Sequence, residues 1–144
     1  GRIGAYQERQ FAKAFAANRT PEGTPWPPLA PSTKQQKRNP KPLVESIGRI
    51  PSSLFHEVKR NTLIVGYGDP LALIHHHGAK TKPRTIYPRR GKALYWKGAM
   101  HPVRKVHHPG STIPARGLVG YSKSDLKEFE SIAFEEVRRI WDES

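Results

Sequence analysis

The stretch SKSDLKEFESIAFEEVRRIWD, residues 122–142, decides more of the fold than any other. Ser122 is a helix-capping residue type, and Asp125 three residues later favours a helix N-terminus. Leu126, Phe129, Ile132, Ala133, Val137, Ile140 and Trp141 then recur at helical spacing and line one apolar face. Lys127, Glu128, Glu135 and Arg138 fall outside it. The spacing predicts a helix over 123–142.

At the other end, residues 2–17 carry a second helical stripe of Ile3, Tyr6, Gln7, Phe11, Ala14 and Phe15, expected to be core or subunit contact. The middle of the chain reads differently. Residues 43–54 start as a helical turn, limited by Gly48 and Pro51. Phe55, Glu57 and Lys59 alternate with His56, Val58 and Arg60, Asn61-Thr62 is a plausible turn, and Leu63-Ile64-Val65 is the return strand. An apolar run over 71–74 ends in His75-His76-His77-Gly78. Ala93-Leu94-Tyr95-Trp96 is expected to pair with Ile86-Tyr87 across Arg89-Arg90-Gly91-Lys92, and 103–106 is one more short strand. The fold class is therefore α+β: a small antiparallel sheet packed by an N-terminal and a C-terminal helix, with a Pro-rich extended arm and a basic hairpin. The chain reads as a single domain, 1–144, made of a helix (2–17), an arm (18–42), a sheet region with the basic hairpin (43–121) and a helix (122–142). No internal repeat is visible.

The arm holds seven of the fourteen prolines, which remove backbone donors and block helix interiors. Trp26 and Leu29 are its only large apolar residues. A free linker rarely carries a Trp, so Trp26, with Leu29, is expected to anchor the arm on its own domain or on a neighbour.

Charge is unevenly placed. The net charge is +13, and residues 81–120 carry nine Lys/Arg and no acid, whereas 121–144 carry four and seven. Between Asp69 and Asp125 there are eleven Lys/Arg, six of the seven His and no acid. Cations at that density repel one another unless a polyanion or an acidic protein surface offsets them. Lys80, Lys82, Arg84, Arg89, Arg90, Lys92 and Lys97 are the candidate contact residues, on a hairpin expected to project and to touch something outside its own subunit.

Several function classes find no support. With no Cys, disulfides, Cys-based zinc sites and thiol catalysis are excluded, and an intracellular origin fits. No run of about 18 apolar residues is present to span a membrane, and no signal-peptide core opens the chain. The His75-His76-His77 triplet invites a metal, but adjacent residues on a strand face opposite ways and Asp69 is the nearest acid. The basic half lacks the carboxylates a Mg²⁺-dependent nuclease needs. Ser52, Ser53, Ser111 and Ser122 lack a nucleophile-elbow context, and Gly66-Tyr67-Gly68 lacks the third glycine of a dinucleotide loop. The expectation is a protein that is not an enzyme, with no catalytic residues, no cofactor and no metal site.

Six segments in register resemble one family. Pro21-Glu22-Gly23-Thr24-Pro25-Trp26-Pro27-Pro28-Leu29 is similar to "P-D-G-x-P-W-x-P-L", and Gly48-Arg49-Ile50-Pro51-Ser52-Ser53-Leu54 to "G-R-L-x-x-S-I". Val65-Gly66 with Leu71-Ala72-Leu73-Ile74-His75-His76-His77-Gly78 is similar to "V-G … Y-A-x-I-H-Q-x-G". Lys92-Ala93-Leu94 and His108-Pro109-Gly110 also have counterparts. Ile113-Pro114-Ala115-Arg116-Gly117-Leu118-Val119-Gly120 tracks "I-P-A-R-P-F-L-G". The family is the virion morphogenesis or tail completion proteins of Mu-like and P2-like tailed phages, related to head–tail joining proteins. Ile47, Leu71 and Gly117 depart from its usual Thr, Tyr and Pro.

The resemblance implies a structural virion protein without catalysis. Its expected form is a homo-oligomeric ring, a hexamer by preference, in the neck at the head–tail junction, assembled in the host cytoplasm. Its implied partners are the portal or adaptor ring, tail terminator or tail tube proteins, and double-stranded DNA in the channel, with no membrane. Ile113, Pro114, Ala115, Arg116 and Gly120 carry the family motif, and Arg116 is expected to bond backbone carbonyls or a carboxylate through its five-donor fork. The alternative is a standalone basic nucleic-acid-binding module, since Tyr87, Tyr95 and Trp96 lie among the cations.

Overall fold

The computed structural model describes residues 1–37, 41–43, 49–96 and 99–143. The elements are α1 (Arg2–Ala16), α2 (Pro31–Gln36), α3 (Arg49–Ser52), β1 (Leu54–Lys59), β2 (Thr62–Tyr67), α4 (Pro70–His77), β3 (Ala79–Lys80), β4 (Arg84–Ile86), β5 (Val106–His108), β6 (Thr112–Ile113) and α5 (Lys123–Asp142). The class is α+β, with helices at both ends. Among the described residues the strands form three two-stranded antiparallel sheets, β1–β2, β3–β6 and β4–β5, in place of one small sheet. The chain divides into two compact units, Gly1–Gly78 with Pro114–Ser144, and Ala79–Ile113.

In the first unit, α1 buries Gly4, Gln7, Phe11, Ala14 and Phe15. It ends where Asn18 turns left-handed (φ 53°), a conformation Asn tolerates. A tight loop follows, with Gly23 at φ 100° and a bridge between Arg19 and Pro25. That loop carries Trp26 back onto α1. Among its described residues the arm folds back onto α1 at Trp26, and it contains α2, where Pro31 at the first helical position costs no backbone hydrogen bond.

The core joins Phe15, Trp26, Leu43, Ile50, Ala72 and Leu118, with Tyr67 and Leu71 packed against it. Ile50, on α3, has no exposure at all. Full burial of such a side chain contributes roughly 1.5–3 kcal/mol. Burial also pushes the Tyr67 phenol up to about 12. β1 and β2 pair from Leu54↔Tyr67 to Lys59↔Thr62, so the turn is Arg60-Asn61, one residue earlier than expected, with Arg60 at φ 54°. α1 lies across this ribbon at Gly4, where an added Cβ would collide with the His56 ring.

Two local expectations are corrected. The apolar run and the His75-His76-His77 triplet lie on helix α4, so the triplet does not have the strand geometry used to weigh a metal there. Asp69 caps the helix by accepting from the Leu71 N–H at 2.8 Å, and Pro70 opens it. On α5, the expected apolar face is only partly used. Ile132 is buried and Phe129 meets Tyr6 edge-on at 6.0 Å, but Leu126, Val137, Ile140 and Trp141 are exposed. The reason is that α1, its packing partner, engages the side of α5 marked by Asp125, Phe129 and Glu136.

The second unit is a pair of ribbons. Ala79↔Ile113 and Lys80↔Thr112 form one, and Arg84↔His108 to Ile86↔Val106 the other. Ile86 therefore pairs with Val106 and not with the 93–96 segment, and Leu94 bridges to Val103 instead. Gly110 makes the return possible: at φ 90°, its missing Cβ is space taken by the Thr81 carbonyl. No described residue of this unit is buried.

Candidate functional site

Two sites emerge, one in each unit. The first is a clamp on the arm. The Trp26 indole meets Phe15 edge-on at 5.3 Å, and its Nε1 donates to the Gly117 carbonyl at 3.0 Å. Trp26 is 7% exposed, while Leu29 is half-buried. Arg116 closes the clamp. Its Nε and Nη2 donate to the Pro27 carbonyl at 3.2 and 3.1 Å, and Nη2 reaches the Pro28 carbonyl at 3.4 Å. Pro27 and Pro28 have no N–H to donate, so each offers only its carbonyl, and a buried guanidinium with five donors matches them.

α4 seats the other side of the 114–120 passage. The Arg116 N–H donates to the His75 carbonyl at 2.7 Å, and the Leu118 N–H donates to His76 Nδ1 at 3.0 Å. His76 must therefore be unprotonated at Nδ1. Burial lowers its pKa, and the neighbouring His77 lowers it further against the opposing pull of Glu22. His75 is also lowered, first by burial and then by Arg116 and Lys37. Gly120 ends the passage: its carbonyl accepts from Gln7 Nε2 at 2.8 Å, and a Cβ there would run into the Glu22 carboxylate. The Ser122–Asp125 capping box follows, and Asp125 Oδ1 also accepts from Tyr6 at 3.0 Å.

Of the motif residues, Arg116 is buried, Ile113, Pro114 and Gly120 are half-buried, and Ala115 is exposed. Ile113 belongs to β6. Gln7, His76 and Asp125 are participants that sequence reasoning missed in this role. The signal for His76 was present: Asp69-Pro70 is a cap followed by a first-turn proline, which predicts a helix and puts successive histidines 100° apart. Among the described residues, no three His, Cys, Asp or Glu side chains converge to hold a metal ion.

The second site is the basic unit. Lys80, Lys82, Arg84, Arg89, Arg90 and Lys92 are all exposed, as are Arg104 and Lys105. Lys97 lies outside the described residues. None of these eight forms an ion pair with a described carboxylate. Lys82, Arg84 and His108 line a cleft with Thr81 and Ser111, whose ends are tied by Ser111 N–H to Thr81 Oγ1 at 2.7 Å. Tyr87, Tyr95 and Trp96 are exposed as well. The Ala79–Ile113 segment places these cations together with no acid in the same stretch of sequence.

The family model described as the phage virion morphogenesis family matches residues 1–138. No curated protein and no solved structure gives a match. Among the described residues, no helix is long and apolar enough to cross a membrane.

Proposed function

The chain belongs to the phage virion morphogenesis family, which makes it a structural or assembly protein of a phage virion, and from that premise we propose that it forms a ring in the neck. In this reading the ring completes the tail and joins it to the head, stacked between a portal or adaptor ring and tail terminator or tail tube proteins. It is a homo-oligomer, a hexamer by preference, and DNA passes through its channel. Its role is structural rather than catalytic.

The observation that carries the reading is the Ala79–Ile113 unit, with nine Lys/Arg, no acid and no buried described residue. Closing a ring multiplies the repulsion of such units unless a polyanion or an acidic ring offsets it. An acidic neighbouring ring is preferred, because a lumen gripping DNA through many phosphates slows its passage. The clamped arm supports the same role, since an arm fixed in advance loses little entropy on meeting a neighbour.

Charge reversal at Arg89 and Arg90 tests the proposal in assembled particles. Heads and tails that fail to join place the unit against a protein. Joined particles that eject DNA abnormally place it in the lumen. Particles unchanged in both respects make the basic unit only a solvated loop and reject its contact role, and images without this chain on the tail axis reject the neck reading. The second reading, a standalone nucleic-acid-binding module, is favoured by Tyr87, Tyr95 and Trp96 among the cations. It requires salt-sensitive DNA binding by the isolated chain and dispensability for head–tail joining.

A further inference from the structure

The outer side of α5 carries a stripe that no described residue covers. Phe134 is 76% exposed, Val137 64% and Trp141 82%. With Ser131 and Arg138 they line a shallow surface groove. At 100° per residue, Phe134 lies opposite Asp125, which faces Tyr6 of α1, so the stripe points away from the core. Glu130, Phe134, Val137 and Trp141 are spaced four, three and four apart, the spacing of a helix–helix seam.

The chemistry of this stripe is symmetric about Phe134. Glu130 lies four residues before it and Arg138 four after, while Lys127 lies seven before and Trp141 seven after. Lys127, Glu130 and Arg138 are exposed, and none forms an ion pair among the described residues. We propose that α5 pairs with α5 of a second copy of this chain, antiparallel, about a two-fold axis at Phe134. The axis sets Phe134 on Phe134, Glu130 beside Arg138 in both directions, and the Lys127 ammonium beside the Trp141 ring. A self-complementary patch is what a two-fold contact requires. A parallel pair would instead oppose Glu130 to Glu130 and Arg138 to Arg138. A polyanion would meet Glu130 within the stripe.

One pair of helices buries less than the roughly 1,200 Å² of a standard stable interface, so this association is weak and reversible. The two copies point in opposite directions and cannot be neighbours in a ring of like-oriented subunits. The pair is therefore a state of the unassembled chain, and it stands or falls independently of the neck reading.

The test uses the full chain. Sedimentation equilibrium up to about 100 µM should show a monomer–dimer equilibrium. Glu130→Arg and Arg138→Glu should each weaken the dimer about tenfold at low salt. The double variant should restore it to within about threefold, because both contacts exchange their signs. Circular dichroism checks that each variant keeps its helices. The chain has no Cys, so Phe134→Cys supplies a single thiol. On mild oxidation it should cross-link much faster than Lys123→Cys, since helices packed about Phe134 bring its Cα atoms within disulfide reach. A monomer throughout, equal cross-linking at both positions, or a double variant weaker than either single one overturns the proposal. So does a dimer that responds to Arg89→Glu/Arg90→Glu and not to Glu130→Arg, which puts the contact on the basic unit.

Discussion

Among the described residues, nine hydrophobic side chains are buried in the larger unit, whereas none is in Ala79–Ile113. The larger unit has its cations distributed among acids: Arg2 with Glu135 and Glu136, Arg49 with Asp69, Lys59 with Glu57. The smaller one has nine cations and no acid. The same chain thus uses two modes of cohesion. One region is organised by burial of apolar surface around Ile50, with polar groups such as Arg116 recruited to satisfy carbonyls inside it. The other is held by short backbone ladders and a few side-chain ties, and it presents its charge outward. A region of the second kind loses little stability when its surface is changed.

This contrast is open to measurement. Trp26→Ala removes an indole from the core and leaves the Gly117 carbonyl without its donor, and should cost about 3–5 kcal/mol in chemical denaturation. An unchanged unfolding midpoint would show that the arm is not part of the folding unit. Arg116→Ala strips Pro27 and Pro28 of their donors and should cost about 2–3 kcal/mol. It should also expose the Lys34 region to trypsin, and a cleavage rate equal to that of the parent chain would break the clamp interpretation.

Acidification gives a smaller effect with a definite sign. His75 and His76 have folded pKa values below the ordinary 6.5, so the unfolded chain binds more protons as the pH falls. Their contribution to stability is fully present above pH 6.5 and is lost as the pH drops below it. The melting temperature should fall between neutral and mildly acidic pH. His76→Gln removes one of the two titrating groups and should flatten that dependence. A profile equally steep in the variant would move the effect elsewhere.

Smallest of all, Arg89→Glu with Arg90→Glu should change the stability of the isolated chain by no more than about 0.5 kcal/mol. Native-state hydrogen exchange sharpens the same point. Amides of β4 and β5 should open at much lower free energy than those around Ile50. Equal protection would mean that the basic unit has a core of its own.

Legibility in the sequence followed the range of the interaction that forms each element. α5 was readable to the residue, because a Ser–Asp capping box and a 3.6-residue period are local signals. α1 and the β1–β2 ribbon were readable for the same reason. The partner of Ile86 was not: Val106 is twenty positions away, and no short-range pattern distinguishes it from the nearer 93–96 segment. α4 was not legible because an apolar run of that length suits either structure, and Asp-Pro opens a turn as readily as a helix. The 44–48 and 97–98 segments lie outside the described residues, so the reading of 43–54 meets the structure only at Leu43 and from α3 onward. Of the clamp, Trp26 and Arg116 stood out by type, but their meeting across the arm at Gly117, Pro27 and Pro28 did not.

By itself, then, the sequence determined the two terminal helices, the absence of thiol chemistry, the segregation of charge and the motif series that marks the family. Each of these is carried by neighbouring residues or by counts. Only the tertiary structure decided which side of α5 is core and which is free. Both sides carry apolar residues, and burial depends on where α1 lands. Tertiary structure likewise turned two prolines, a tryptophan and an arginine into a clamp. A hydrogen bond between residues about ninety positions apart exists only once the chain between them has folded, and no local preference encodes it.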